Sequence, residues 1–207
     1  AGTTGGRWEA SLDGGTAWSA LGAPTAGAAR LLPADGLARV RFVPDADWNG
    51  VSAALQVKAW DQTGGTGGLS TADAGTSGGT TAFSTATANV TVTVSAVNDA
   101  PVQTGTLPAA PSFVEGASSA DLGLASLVYG PGGGADEAGQ TLTVTLTTLP
   151  GATLGRVVLA DGVTAAATGT PYTVAQLRGL RFDASTASAA GSGTLAWSVQ
   201  DSGGTAG

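Results

Sequence analysis

Apolar and polar residues alternate along several short windows of this chain, most plainly in "NVTVTVSAV" at positions 89–97. Apolar side chains two positions apart line one face of a strand, whereas a helix repeats its apolar face every three or four residues. Read this way, the first half predicts strands over 7–12, 38–43, 53–60 and 86–97. The second half predicts strands over 112–114, 141–149, 155–159, 180–182 and 194–199. One stretch, "YTVAQLRG", reads as a helical turn: Thr173 caps it, Gln176 three residues on completes a capping box, and Gly179 ends it. Short strands separated by turn signals indicate β-sandwiches. The segment 62–84, "QTGGTGGLSTADAGTSGGTTAFS", is low in complexity and long for a connection, and reads as a surface loop.

The two halves close alike. "RFVPDADWNGVSAALQVKAWDQTGG" from Arg41 and "RFDASTASAAGSGTLAWSVQDSGG" from Arg181 match at one offset, pairing Arg41 with Arg181, Phe42 with Phe182, Leu55 with Leu195 and Asp61 with Asp201. Several matches in register indicate two related domains. The expected division is 1–98 and 99–207, joined at "SAVNDAPV". The first domain lacks the strand-rich opening of the second, and the second stops just after Asp201 where the first continues. The expectation is therefore a first sandwich without its N-terminal strands and a second without its last strand.

Composition narrows the chemistry. Of the 207 residues 11% are charged and 34 are glycines, with neither Cys nor His. Disulfides, thiolate metal sites and the commonest general base are thereby excluded. A net charge of −7, from 8 basic and 15 acidic residues, argues against a nucleic-acid partner. No apolar run approaches the roughly 18–20 residues of a membrane span, so membrane insertion is not expected. An acidic chain without His or Cys favours a hard cation with oxygen ligands, above all calcium.

These segments resemble a known family. "GRWEASLDGGTAWSALG", "LLPADGLARVRFVPDADWNG" and "AWDQTGGTGG…GGTTAFSTATANVTVTVSAVNDAPV" resemble repeats of giant, type I-secreted (RTX-type) bacterial surface adhesins. "FVEGASSADLGL", "ADEAGQTLTV", "LADG", "YTVAQLRGLRF" and "LAWSVQDSGG" resemble a sister module. The resemblance implies an all-β fold of two tandem cadherin-like or immunoglobulin-like Greek-key sandwiches, displayed outside the bacterial cell and stiffened by calcium, without catalysis. In cadherin-like arrays an Asn-Asp-x-Pro linker helps hold calcium, which implicates Asn98 and Asn-adjacent Asp99, with Pro101 keeping the linker extended. Calcium takes roughly six to eight oxygens. Further ligands are expected from Asp136 and Glu137 of "GADEAGQTLTV" and from Asp201, which resembles the Asp of the cadherin "A-x-D-x-G" turn. Where cadherin repeats have Asp-x-Asp, this chain has Asp136–Glu137. Asp61 would act likewise at an upstream junction, and Glu115 resembles the early Glu that serves a downstream one.

Two other motifs suggest chemistry. "DADWNG" (45–50) matches the opening of an EF-hand loop, but its closing position falls on Gln56 inside a predicted strand. It reads mainly as a loop whose Trp48 covers the core edge, with an accessory calcium site as the lesser reading. "SLDGGTAW" (11–18) nearly fits an Asp-box, which physically is a tight hairpin: Asp13 bonds its own turn and Trp18 packs beneath. No carboxylate pair suited to a glycosidase is evident.

The expected function is that of a structural and adhesive spacer whose partners are neighbouring repeats of the same chain or identical subunits. One alternative is a filament or surface-layer subunit assembled by strand complementation. Another is a carbohydrate-binding module, with surface glycans as partners of its tryptophans.

Overall fold

In a computed structural model, residues 4–204 are described, and the chain divides into two compact units, 1–96 and 97–207. The fold is all-β: among the described residues every paired ladder is antiparallel and the only α-helix is a single short one.

The first unit holds β1 (Gly6–Ser11), β2 (Ser19–Ala20), β3 (Ala29–Arg30), β4 (Arg39–Pro44), β5 (Gly50–Val51), β6 (Leu55–Trp60), β7 (Thr71–Ala72), β8 (Phe83–Val90) and β9 (Thr93–Val94). Its sheets are β2-β1-β4, β6-β8, β3-β7 and β5-β9. Trp8, Ala10, Leu21 and Leu55 form a small core, against which Leu32, Phe42 and Leu69 pack. The expected strand over 86–97 is two strands. β8 follows β6 as far as Val90, and β9 then follows β5. Buried Ser52 makes the switch: its N–H donates to the Val92 carbonyl, and its hydroxyl accepts from the Val92 N–H. Segment 62–84, read from sequence as a loop, contains β7 and the start of β8. It is tied down by hydrogen bonds between Leu31 and both Leu69 and Ser70.

The second unit holds β10 (Val102–Gln103), β11 (Ala120–Asp121), β12 (Tyr129–Gly130), β13 (Thr143–Thr148), β14 (Arg156–Val158), β15 (Pro171–Thr173), α1 (Val174–Arg178), β16 (Arg181–Asp183) and β17 (Ala196–Gln200). Sheets β15-β13-β17 and β11-β16-β14 share one core, in which Val144 and Leu146 of β13 meet Val157 of β14 and Phe182 of β16. Leu177 of α1 closes it. The capping box forms: the Thr173 hydroxyl accepts from Gln176 N–H at 3.1 Å, and the Gln176 carbonyl oxygen accepts from Thr173 N–H at 2.8 Å. The strand expected at 112–114 is absent. Pro111 precedes it, a residue that cannot donate to a ladder, and Phe113 is anchored instead by its ring against Phe182, at 4.9 Å between centroids.

The internal repeat extends further than its matched residues. In each unit a Gly-Arg strand runs antiparallel to the Phe strand: Trp8 faces Phe42, and Val157 faces Phe182. Gly6 and Gly155 hold equivalent places two positions away, with φ of 153° and 129°. A Cβ on Gly6 would lie 2.3 Å from the Val43 carbonyl oxygen, and one on Gly155 would lie 2.5 Å from that of Asp183, each also against the neighbouring Phe ring. Each pair carries an ionic clip. Glu9 of β1 accepts from Arg7 at 2.8 Å and from Arg41 of β4 at 2.7 Å, while Arg156 of β14 reaches Asp183 of β16 at 2.9 Å. The Arg41 guanidinium also stacks over the Trp18 ring at 4.1 Å.

These contacts lower both acids. Hydrogen bonds from Arg7 and then Arg41 hold the Glu9 carboxyl below the usual range. The Ser185 side chain and N–H, followed by Arg156, do so for Asp183. A depressed folded-state value means that the stabilisation is complete above the unfolded carboxylate range, at about pH 4, and is lost as pH falls through the lower folded values. Urea midpoints measured across acidic pH are expected to fall in that window, and Glu9→Gln to flatten the dependence. Thr173→Ala is expected to cost about 1 kcal/mol, read as a lower urea midpoint with unchanged slope.

Candidate functional site

The polar cluster in the second unit is built where residues 98–99 lead toward β10. Three segments meet there: this lead-in, the 3₁₀ turn Glu137–Gly139 with Gln140 behind it, and the residues following β17. Asn98 is held on three sides. Its amide donates to Asp201 Oδ1 at 3.1 Å and to the Gly204 carbonyl at 3.2 Å, and its Oδ1 accepts from Gln140 Nε2 at 2.8 Å. The Asp99 N–H donates to Glu137 Oε1 at 3.3 Å. Gly203 N–H donates to both Asp201 Oδ1 and Gln140 Oε1, at 3.0 and 3.2 Å.

Glycine makes this closeness feasible. A Cβ at Gly203 would fall 1.7 Å from Asn98 Oδ1, and one at Gly133 would fall 2.2 Å from Asp99 Oδ2. Gly133 has φ of 41°, a conformation that only glycine adopts freely. The loop backbones thus press directly against the two linker side chains.

Electrostatics separates this cluster from the rest of the molecule. Four acidic residues are buried among the described residues: Glu9, Glu137, Asp183 and Asp201. Arginines neutralise Glu9 and Asp183. Glu137, 1% exposed, and Asp201, 6% exposed, have no ion pair among the described residues. Glu137 Oε2 is buried without any hydrogen-bond partner. Burying an ionised carboxylate is costly unless a cation or a full set of donors meets it. A hard cation with oxygen ligands answers that need.

Of the five residues expected to bind metal, the structure joins Asn98 to Asp201 and Asp99 to Glu137 by direct hydrogen bonds. Asp136 precedes the 3₁₀ turn with its side chain exposed and gives the turn no side-chain cap. Among the described residues no three Asp or Glu side chains form a ready-made metal cluster. Gln140 was not anticipated from sequence, although it links Asn98 to Gly203. Its only signal is its place between the acidic turn and β13. The "GPGGG" run at 130–134 does signal a close backbone approach.

The other motifs are structural in their contacts. Asp13 Oδ1 accepts from Ser11 Oγ at 2.7 Å, Thr16 N–H at 3.0 Å and Ala17 N–H at 2.9 Å. These bonds, led by that from Ala17, hold its carboxyl below the usual range. Trp18 Nε1 closes the turn on the Gly15 carbonyl. Trp48 of "DADWNG" covers Gly5 and meets Phe42 edge-on at 5.9 Å. Asp61 caps its own turn through Thr63, and Glu115 is exposed. None of the five tryptophans is exposed. Trp8, Trp60 and Trp197 donate to the Ala53 carbonyl, the Thr63 carbonyl and the Tyr129 hydroxyl respectively.

Gly203→Ala is expected to destabilise the second unit by about 1–3 kcal/mol through the clash with Asn98. Gly139→Ala, where a Cβ meets nothing within 4 Å, is expected to change stability by less than about 0.5 kcal/mol. Chemical denaturation of both variants checks the contrast. No family model matches this chain, and neither a curated protein nor a solved structure matches it.

Proposed function

We propose that this chain is a non-catalytic structural and adhesive segment of a large extracellular bacterial surface protein, with calcium bound at the Asn98–Asp99 cluster of its second unit. In this reading both units are cadherin-like or immunoglobulin-like sandwiches with Greek-key connections. The observation that carries the proposal is the pair of buried acids without an arginine, Glu137 with its unpartnered Oε2 above all. The sequence motifs that resemble calcium-stiffened surface repeats include four residues of this cluster: Asn98, Asp99, Glu137 and Asp201.

The carboxylates of Asp99, Glu137 and Asp201 and the Asn98 amide oxygen would supply protein ligands. Backbone carbonyls and water would complete the roughly six to eight that calcium requires. Asp136, exposed beside them, would add negative field and, with a rotamer change, a ligand. Calcium would neutralise the buried charge and fix the segment 95–101 that leads into the second unit. Without it, the acids repel and that segment is looser. Such a segment transmits tension rather than performing chemistry.

Thermal unfolding of the whole protein with calcium and with chelator tests this. Calcium at a hundred times its Kd is expected to add about 2.7 kcal/mol of stability and to slow proteolytic cutting within 95–101. Glu137→Gln and Asp201→Asn are expected to remove both responses while leaving the chelated protein folded. An unfolding midpoint and a cutting rate indifferent to calcium would sink the metal assignment.

A further inference from the structure

The first unit contains a cavity of about 610 Å³ whose lining is mainly apolar. Every residue of β6, from Leu55 to Trp60, borders it. Side chains of a strand alternate between two faces, so a cavity resting on one face would touch every second residue. A cavity that meets six residues in succession therefore also reaches the strand's main chain or its second face.

One edge of β6 is taken. Leu55, Gln56, Val57 and Lys58 pair with Val90, Asn89, Ala88 and Thr87 of β8, and among the described residues the sheet has only these two strands. The Ala59 N–H donates to Ser84 Oγ, beside β8. Among the described residues, no other hydrogen bond reaches the main chain of Leu55–Trp60. The far edge of β6 is therefore unpaired among the described residues, on a strand that a mainly apolar cavity borders along its whole length, an arrangement that an added strand satisfies.

The charges in the lining are of one sign. Arg30 and Lys58 border the cavity, and no Asp or Glu does. The Lys58 ammonium has three N–H donors and uses two, on the Ala74 carbonyl and on Ser77 Oγ. Arg30 donates to the Leu69 carbonyl. Neither forms an ion pair among the described residues. In a chain of net charge −7, two cations without carboxylates on an apolar cavity specify an anionic group on whatever fills it.

We propose that this groove accepts an extended peptide strand from a different protein, paired to the free edge of β6, with small apolar side chains turned inward and a carboxylate set against Lys58 and Arg30. The occupant is recognised by its main chain and its acid. The proposal is independent of calcium at the second unit.

Labelled synthetic peptides of alternating valine and threonine test it on the whole protein. One carries a central glutamate, one a lysine in its place, and one a proline that removes a ladder N–H. Binding is read by fluorescence anisotropy. Protection is read by acylation of Lys58, the only lysine in the sequence, followed by mass mapping. The glutamate peptide is expected to bind at least about tenfold tighter than the lysine and proline peptides, roughly the effect of 1.4 kcal/mol, and to slow Lys58 acylation. Lys58→Glu is expected to reverse the preference toward the lysine peptide. Circular dichroism of that variant confirms that it folds. Equal binding of all three peptides, or none, would overturn strand addition. Protection by dodecanoate but by no peptide would instead assign the cavity to a small amphiphile. Protection that rises with protein concentration alone would assign it to a second copy of this chain. Either result refutes the proposal.

Discussion

A carboxylate can be kept out of water only if something positive, or a full set of donors, meets it. In a chain where 11% of residues are charged, that constraint fixes much of the arrangement. Glu9 and Asp183 lie inside because Arg41 and Arg156 reach them across paired strands. These clips hold β1 on β4 and β14 on β16, the pairs from which each unit's packing extends. The polarity differs: the acid comes from the first strand of the pair in one unit and from the second in the other. The geometric need is the same, while its chemical solution is reversed. Where the guanidinium is missing, at Glu137 and Asp201, the molecule has gathered amides and glycines instead.

Packing follows the strand pairs unevenly. The second unit brings two three-stranded sheets onto one continuous core, closed by α1. The first has a small core around Trp8 and Leu55, and a large cavity beside β6. The difference is local. β13 is paired along both edges, by β15 and β17, whereas among the described residues β6 pairs with β8 alone.

Much of this was legible in the alternation of the sequence. The strands through Trp8, Phe42, Val144 and Trp197, the capping box at Thr173 and the Asp13 turn all follow from neighbours within a few positions. Long-range effects were not legible. The break after Val90 depends on Ser52, distant in sequence, and Phe113, expected in a strand, sets its ring against the distant Phe182. The site was partly readable: motif resemblance pointed to Asn98, Asp99, Glu137 and Asp201, which the fold links in pairs. The same resemblance placed Asp136 among them, where the chain leaves its side chain in solvent. Gln140 has no signature because an amide bridging two loops is defined by their meeting, not by local sequence.

The Asp13 turn has a kinetic consequence. Its side-chain hydrogen bonds join residues no more than four apart, and Asp161 ties Val163 and Thr164 over a similar span. Closing such short loops takes far less time than finding a distant strand. Each unit therefore begins its search for tertiary structure with a bend already set next to its Gly-Arg strand. In an all-β chain, where late, long-range pairing slows folding and leaves edges exposed, these two aspartates shorten the interval in which a half-formed sheet can stick to its neighbours.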